Sequence, residues 1–152
     1  MQINKILAGA ALVLGATASA QAANDLKIGM VLPMSGPFAA YGKQILNGAR
    51  LYINQHGDTV AGRKVVLLVK DDTGVAPELS KRAAQEFVVK DKVDILAGFG
   101  LTPSAFAVGP LSAETKIPMV VMNAATSSVT TKSPYIVRTS MTLPQITAPM
   151  AA

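Results

Sequence analysis

Two short stretches of this chain combine small residues with hydroxyl and amide groups in the way an anion seat requires. The first is Ala97-Gly98-Phe99-Gly100-Leu101-Thr102-Pro103-Ser104. Its glycines let backbone come close to a ligand, Thr102 and Ser104 supply hydroxyls, and unpaired amides at the start of the helix expected to follow favour a carboxylate. Thr102 or Ser104 can equally serve as the cap of that helix. The second stretch is Asn123-Ala124-Ala125-Thr126-Ser127-Ser128, where small side chains leave room, hydroxyls donate to oxygen and main-chain carbonyls can accept from an ammonium group. Taken alone, it is a polar turn.

Other candidates for chemistry are weaker. Asp71-Asp72 places two acids side by side, but neighbours on an extended segment point apart, so a solvated strand end is expected rather than a metal pair. His56, the single histidine, stands beside Gly57 at an expected helix end, which suits a surface or capping role. A dinucleotide-dependent enzyme would also begin with a buried strand and a glycine-bearing turn. Here Pro33-Met34-Ser35-Gly36-Pro37 lacks the Gly-x-Gly-x-x-Gly spacing, and Gly98-x-Gly100 is not followed by a third glycine. No Gly-x-Ser-x-Gly elbow, zinc-ligand spacing or P-loop occurs. The expectation is a non-catalytic protein without a metal or cofactor.

Compartment and charge narrow the partners. Met1 to Lys5 is a short charged start, Ile6 to Ala18 is almost wholly apolar and small residues follow, the pattern of a signal peptide over residues 1–22 cut after Ala22. The apolar run is shorter than the roughly 20 residues a membrane-spanning helix needs. The chain has no cysteine, which removes disulfides, thiolate chemistry and a lipid-anchored cysteine, so a free periplasmic protein is expected. The formal charge of +5 becomes +4 without Lys5, and the basic residues are scattered rather than striped, so no nucleic-acid partner is expected.

The elements that must carry these loops alternate along the rest of the chain, residues 23–152, read as one domain. Ile28 to Leu32, Val65 to Val69, Val93 to Ala97, Met119 to Met122 and Tyr135 to Thr139 read as strands, the apolar runs as strands buried on both faces. Between them lie a helix from Gly42 to Gln55 with Ile45, Leu46, Ala49, Tyr52 and Ile53 on one stripe, and a helix from Pro77 to about Lys90. A third, from about Ser104 to Glu114, is expected to break at Gly109-Pro110. This order predicts an α/β fold: a doubly wound parallel sheet with helices on both faces. Ligands bind such sheets at the carboxyl ends of the strands, which brings four loops together: Pro33 to Gly42, Asp71 to Ala76, Gly98 to Ser104 and Asn123 to Ser128.

The ordered series Gly29, Pro33-Met34-Ser35-Gly36-Pro37, Tyr41-Gly42, Asn47-Gly48-Ala49, Gly62-Arg63, Asp71-Asp72, Gly98, Ile117-Pro118 and Ala124-Ala125-Thr126 resembles the leucine/isoleucine/valine-type periplasmic binding proteins. The likeness runs from Asp25 onward and rests on the order and spacing of many small motifs. It implies one of two α/β lobes joined by a hinge, closing on a small carboxylate such as a branched-chain amino acid and delivering it to an ABC permease in the inner membrane, as a monomer when full length. It implies that Tyr41 is the aromatic residue near the cleft and Thr102 the hydroxyl that receives the ligand carboxylate. In the next loop, matching Ala-Ala-Thr directly makes Ala124 the carbonyl for the ammonium and Thr126 a second hydroxyl. Counting from Gly98 selects Asn123 and Ala125 instead, because this chain has one residue more after Pro118 than the family pattern.

Two departures shape the expectation further. The family's serine-rich loop is replaced by Phe99-Gly100-Leu101-Thr102-Pro103, a more apolar wall that would tolerate an aromatic carboxylate. The sequence reaches Ala152 before a second lobe begins, so the resemblance implies an incomplete first lobe. A ligand-sensing domain of the same fold differs from a transport protein only in its partner.

Overall fold

The computed structural model describes residues 24–151; the expected signal peptide lies outside the described residues. Strand β1 (Leu26–Leu32) is the centre of the molecule and shows why its sequence is apolar without alternation. Met30 and Leu32 face α1 (Ala39–His56) and pack with its Leu46, whereas Val31 faces the other way into a second cluster with Ala84 and Phe87. A strand covered on both sides has no polar face to offer.

Around β1 the sheet is completed by β2 (Thr59–Val60), β3 (Arg63–Asp71), β4 (Ile95–Gly98), β5 (Met119–Val121) and β6 (Ile136–Arg138), in the spatial order β2-β3-β1-β4-β5-β6. All neighbours are parallel except β2, which pairs antiparallel with β3. Helices α2 (Pro77–Glu86) and α3 (Thr102–Thr115) pack on the face opposite α1, and α4 (Leu143–Thr147) follows β6. The doubly wound α/β arrangement expected from the alternation of elements is thus present, with helices on both faces.

Several details differ from the sequence reading. The sheet has a sixth strand, because Ala61 and Gly62 both take positive φ (49° and 77°) and form a two-residue hairpin that folds Thr59–Val60 back on β3. Strand β4 begins at Ile95 rather than Val93, and β5 and β6 are each shorter than expected. Helix α1 starts at Ala39, three residues earlier than read, which moves Tyr41 from a loop into its first turn. Its Tyr52 leaves the inward stripe: it is 64% exposed and stacks on His56 with ring centroids 4.2 Å apart. His56 also bonds through Nδ1 to the Tyr52 carbonyl, a surface role as expected.

The second helix widens into a π-helical turn at Phe87–Asp91. Phe87 is fully buried against Gly29 of β1, where an added Cβ would lie 2.7 Å from the Phe87 ring. Glycine at that point is therefore a packing requirement. Helix α3 runs unbroken through Pro110, contrary to the expected interruption. Pro110 is on the exposed side, while Ala105, Val108 and Ser112 are buried and hold the helix on both sides of it. Anchoring of that kind outweighs one missing main-chain bond.

Candidate functional site

The chain leaves β1 towards one edge of the sheet and returns through β4 towards the other, so the loops after β1 and β4 part at a topological switch point. Crevices form at such points. Here the crevice is a solvent-open cavity of about 700 Å³ at the carboxyl ends of β1, β4, β5 and β6.

The β1 side contributes Phe38 and Tyr41, whose rings stack with centroids 6.1 Å apart. Their loop is held by Asp71 at the end of β3, which accepts the amides of Met34, Ser35 and Thr73 at 2.8, 3.2 and 2.8 Å. Burial alone would raise the Asp71 carboxyl, but hydrogen bonding from Ser35 and from the Thr73 and Met34 amides outweighs it, so its pKa lies below the ordinary carboxylate value.

The β4 side contributes Gly100, Leu101 and Thr102. Gly98 has φ +104°, and a Cβ there would lie 2.4 Å from the Val31 carbonyl oxygen, so only glycine lets β4 end so close to β1. Phe99 takes the left-handed conformation (φ 60°) and is fully buried in the core, its amide donating to Val31 and its carbonyl accepting from Ala124. The aromatic side chain read as part of an apolar cleft wall therefore does not reach the cavity. Thr102 is the first residue of α3 and half-buried; its amide and that of Ser104 lack intrahelical partners, while Pro103 between them has no N–H to offer. Neither Thr102 nor Ser104 caps the helix: the position before it is Leu101, and no side chain bonds there.

Ser104 turns away from the cavity and donates to Asp72 at 2.8 Å. Asp72 is completely buried and also accepts from the Ser80 hydroxyl and the Gly74 amide, both at 2.9 Å. The two adjacent acids diverge as expected, but only Asp71 is at the surface. Asp72 ties the end of β3 to the first turns of α2 and α3. The Asp71 to Ala76 loop thus braces the site without lining it.

The β5 side supplies Asn123, Ala124 and Ala125. Ala124 is buried, and the Ala125 carbonyl already accepts the Leu143 amide at 2.9 Å. Asn123 donates from Nδ2 to the Gly100 carbonyl at 2.7 Å, tying this loop to the β4 loop. Thr126 lies just behind the lining, and its hydroxyl is 2.9 Å from that of Thr102. The two hydroxyls named from separate loops therefore meet. The sequence reading missed the β6 side, where Thr139, Ser140 and Met141 line the cavity together with Leu143 and Ile146 of α4. A signal for α4 was present: Thr142-x-x-Gln145 forms a reciprocal capping box.

None of the residues lining the cavity is charged, and its rim is apolar, with Tyr41 47% and Met141 62% exposed. Among the described residues no cluster of three potential metal ligands occurs, and no helix is long and apolar enough to cross a membrane. The geometry offers a polar spot with paired hydroxyls beside a helix start, set in an apolar rim. That combination can take a small carboxylate with an apolar body.

Known proteins resemble this chain in sequence and fold. A Leu/Ile/Val-binding protein homolog 6 of Brucella abortus (strain 2308) is 46% identical over 149 residues, 98% of this chain and 38% of the relative. A solute binding protein of an ABC transporter from Rhodopseudomonas palustris HaA2, solved in complex with p-hydroxybenzoic acid, is 51% identical with a TM-score of 0.81, over 84% of this chain and 34% of that one. A further solute binding protein, from Rhodopseudomonas palustris BisB5 in complex with 3,4-dihydroxybenzoic acid, is 52% identical with a TM-score of 0.78, over 80% and 33% of the two chains. The chain thus spans about a third of the length of these relatives, and it matches them over that part in both sequence and fold. Because the family profile for periplasmic binding proteins also matches residues 25–152, which hold every strand and loop of the crevice, the chain belongs to the periplasmic binding protein family.

Proposed function

We propose that this chain supplies one wall of the ligand cleft of an exported, non-catalytic solute-binding protein, which captures a small carboxylate and hands it to an ABC permease in the inner membrane. The single observation that carries the proposal is the meeting of the Thr102 and Thr126 hydroxyls, 2.9 Å apart, at the amino terminus of α3. Hydroxyls and a helix start converge there on a place where a carboxylate oxygen gains several donors. Tyr41 forms the aromatic flank, and Ala124 and Ala125 the small-residue floor. The pairing supports the direct match of the Ala-Ala-Thr motif, in which Thr126 is the second hydroxyl. Export through the leader at residues 1–22 and a monomeric full-length protein belong to the same reading.

An aromatic carboxylate is the reading favoured for the ligand class over a branched-chain amino acid. The lining carries no acid to pair with an ammonium group, and the rim is apolar. Relatives at 51 and 52% identity were solved with hydroxybenzoic acids.

Thermal-shift and calorimetric titration of the full-length gene product with 4-hydroxybenzoate, benzoate and leucine tests both readings. A carboxylate ligand at about 100 times its Kd adds about 2.7 kcal/mol and raises Tm. Stabilisation by the benzoates alone supports the aromatic reading; stabilisation by leucine alone replaces it. No response to any of the three would remove the proposal.

A further inference from the structure

Arg138 was not among the residues the sequence singled out for the site, and it does not line the cavity. It closes β6, where alternation places it on the same side as the buried Ile136, opposite the exposed Val137. From there its guanidinium donates to the carbonyl of Thr126, which also accepts the Val129 amide at 3.2 Å. Its Nε is buried without an acceptor. The ion pairs among the described residues are made by Arg63, Lys64 and Lys70, and none involves Arg138.

A partly buried cation without a counter-charge is unfavourable. Something negative should gain by approaching it. Arg138 is also the one charged side chain hydrogen-bonded to residues 123–128 among those described. That loop carries the hydroxyl that meets Thr102, while the cavity lining itself is uncharged.

On the carboxylate reading above, we infer that Arg138 is the positioning residue that makes the cleft select an ionised carboxylate over its neutral isostere. It fixes the Thr126 carbonyl, which aims the Thr126 hydroxyl, and it places a positive charge behind the hydroxyl pair. The acid is thereby favoured without direct contact between guanidinium and ligand. For a unit charge acting across a partly buried site at an effective dielectric near 20, the expected preference is on the order of tenfold or more in affinity.

The test compares the full-length wild type, Arg138→Gln and Arg138→Lys by titration with 4-hydroxybenzoate and with 4-hydroxybenzamide, which has the same shape and no charge. Arg138→Gln should reduce the acid-to-amide affinity ratio about tenfold or more while changing amide binding little; Arg138→Lys, which keeps the charge, should retain most of the ratio. Equal weakening of both probes by Arg138→Gln would show a structural brace only and overturn the inference, as would no change in either. Should Arg138→Gln fail to fold, a folded Arg138→Lys that has lost the ratio overturns it as well. A wild type that binds the acid without preference over the amide defeats this inference alone, whereas a wild type that binds neither leucine nor benzoates defeats the carboxylate reading together with it.

Discussion

Thr102 opens α3 with its hydroxyl 2.9 Å from that of Thr126, and neither side chain is otherwise engaged by a protein hydrogen bond among the described residues. Two hydroxyls that satisfy only each other can reorient towards an incoming anion without losing a structural bond. A hydrogen bond to a charged group contributes roughly 1.5–3 kcal/mol, so Thr102→Ala in the full-length protein should weaken carboxylate binding by about 10- to 100-fold. The ligand-free melting temperature should barely change, because Thr102 is only half-buried and its hydroxyl bonds only to that of Thr126. Titration with 4-hydroxybenzoate, paired with a melt of the free protein, checks both halves; unchanged affinity would take Thr102 out of the site. Ser104, two residues on, offered the same chemistry in sequence but spends its hydroxyl on Asp72. Nothing in the local sequence separates the two; the direction each faces is set by α3 packing against α2 and the end of β3.

At the scale of elements, the acids at the end of β3 do two jobs. Asp71 holds the loop that leads to Phe38 and Tyr41, while buried Asp72 joins β3, α2 and α3 through three hydrogen bonds. Removing the Asp72 carboxyl leaves three donors in the interior without their acceptor, and each such group costs roughly 1–3 kcal/mol. Asp72→Ala should therefore lower unfolding free energy by about 3 kcal/mol or more, read from urea denaturation. A loss below about 1 kcal/mol would mean that the core rearranges around the missing acid. The adjacency of the two acids was legible in sequence, and so was their divergence. Which one is buried was not, because that depends on a serine from each of two helices arriving from later in the chain.

For the whole molecule, acid stability follows from ion pairing between distant segments. Asp94, just before β4, accepts from the Arg63 guanidinium of β3 and from the Lys27 amide of β1, both at 2.8 Å. Burial alone would raise its carboxyl, but these hydrogen bonds and the Arg63 charge outweigh that effect and set its pKa below the ordinary value. Asp71 is lowered in the same direction. A carboxyl whose folded pKa is depressed contributes stability that is complete above the unfolded value near 4 and is lost as pH falls through the folded value. The melting temperature should hold from about pH 7 to 5 and fall below about pH 4, with a smaller fall in Asp94→Asn. A wild-type melting temperature that stays level down to about pH 3 would contradict this assignment.

By itself the sequence determined the sheet-and-helix alternation, since runs such as Ile28 to Leu32 can be satisfied only between two apolar layers, and it determined the glycine and hydroxyl content of the loops after β4 and β5. It also carried the family pattern from end to end of the described lobe. Only the tertiary structure decided which of those groups share a place. It turned Phe99 into the core, sent Ser104 to Asp72, brought Thr102 against Thr126 and bonded Arg138 to the Thr126 carbonyl. The reason is physical: chemistry at a residue is local, but a side chain's direction is fixed by the strands and helices packed around it, whose order is written in residues far away along the chain.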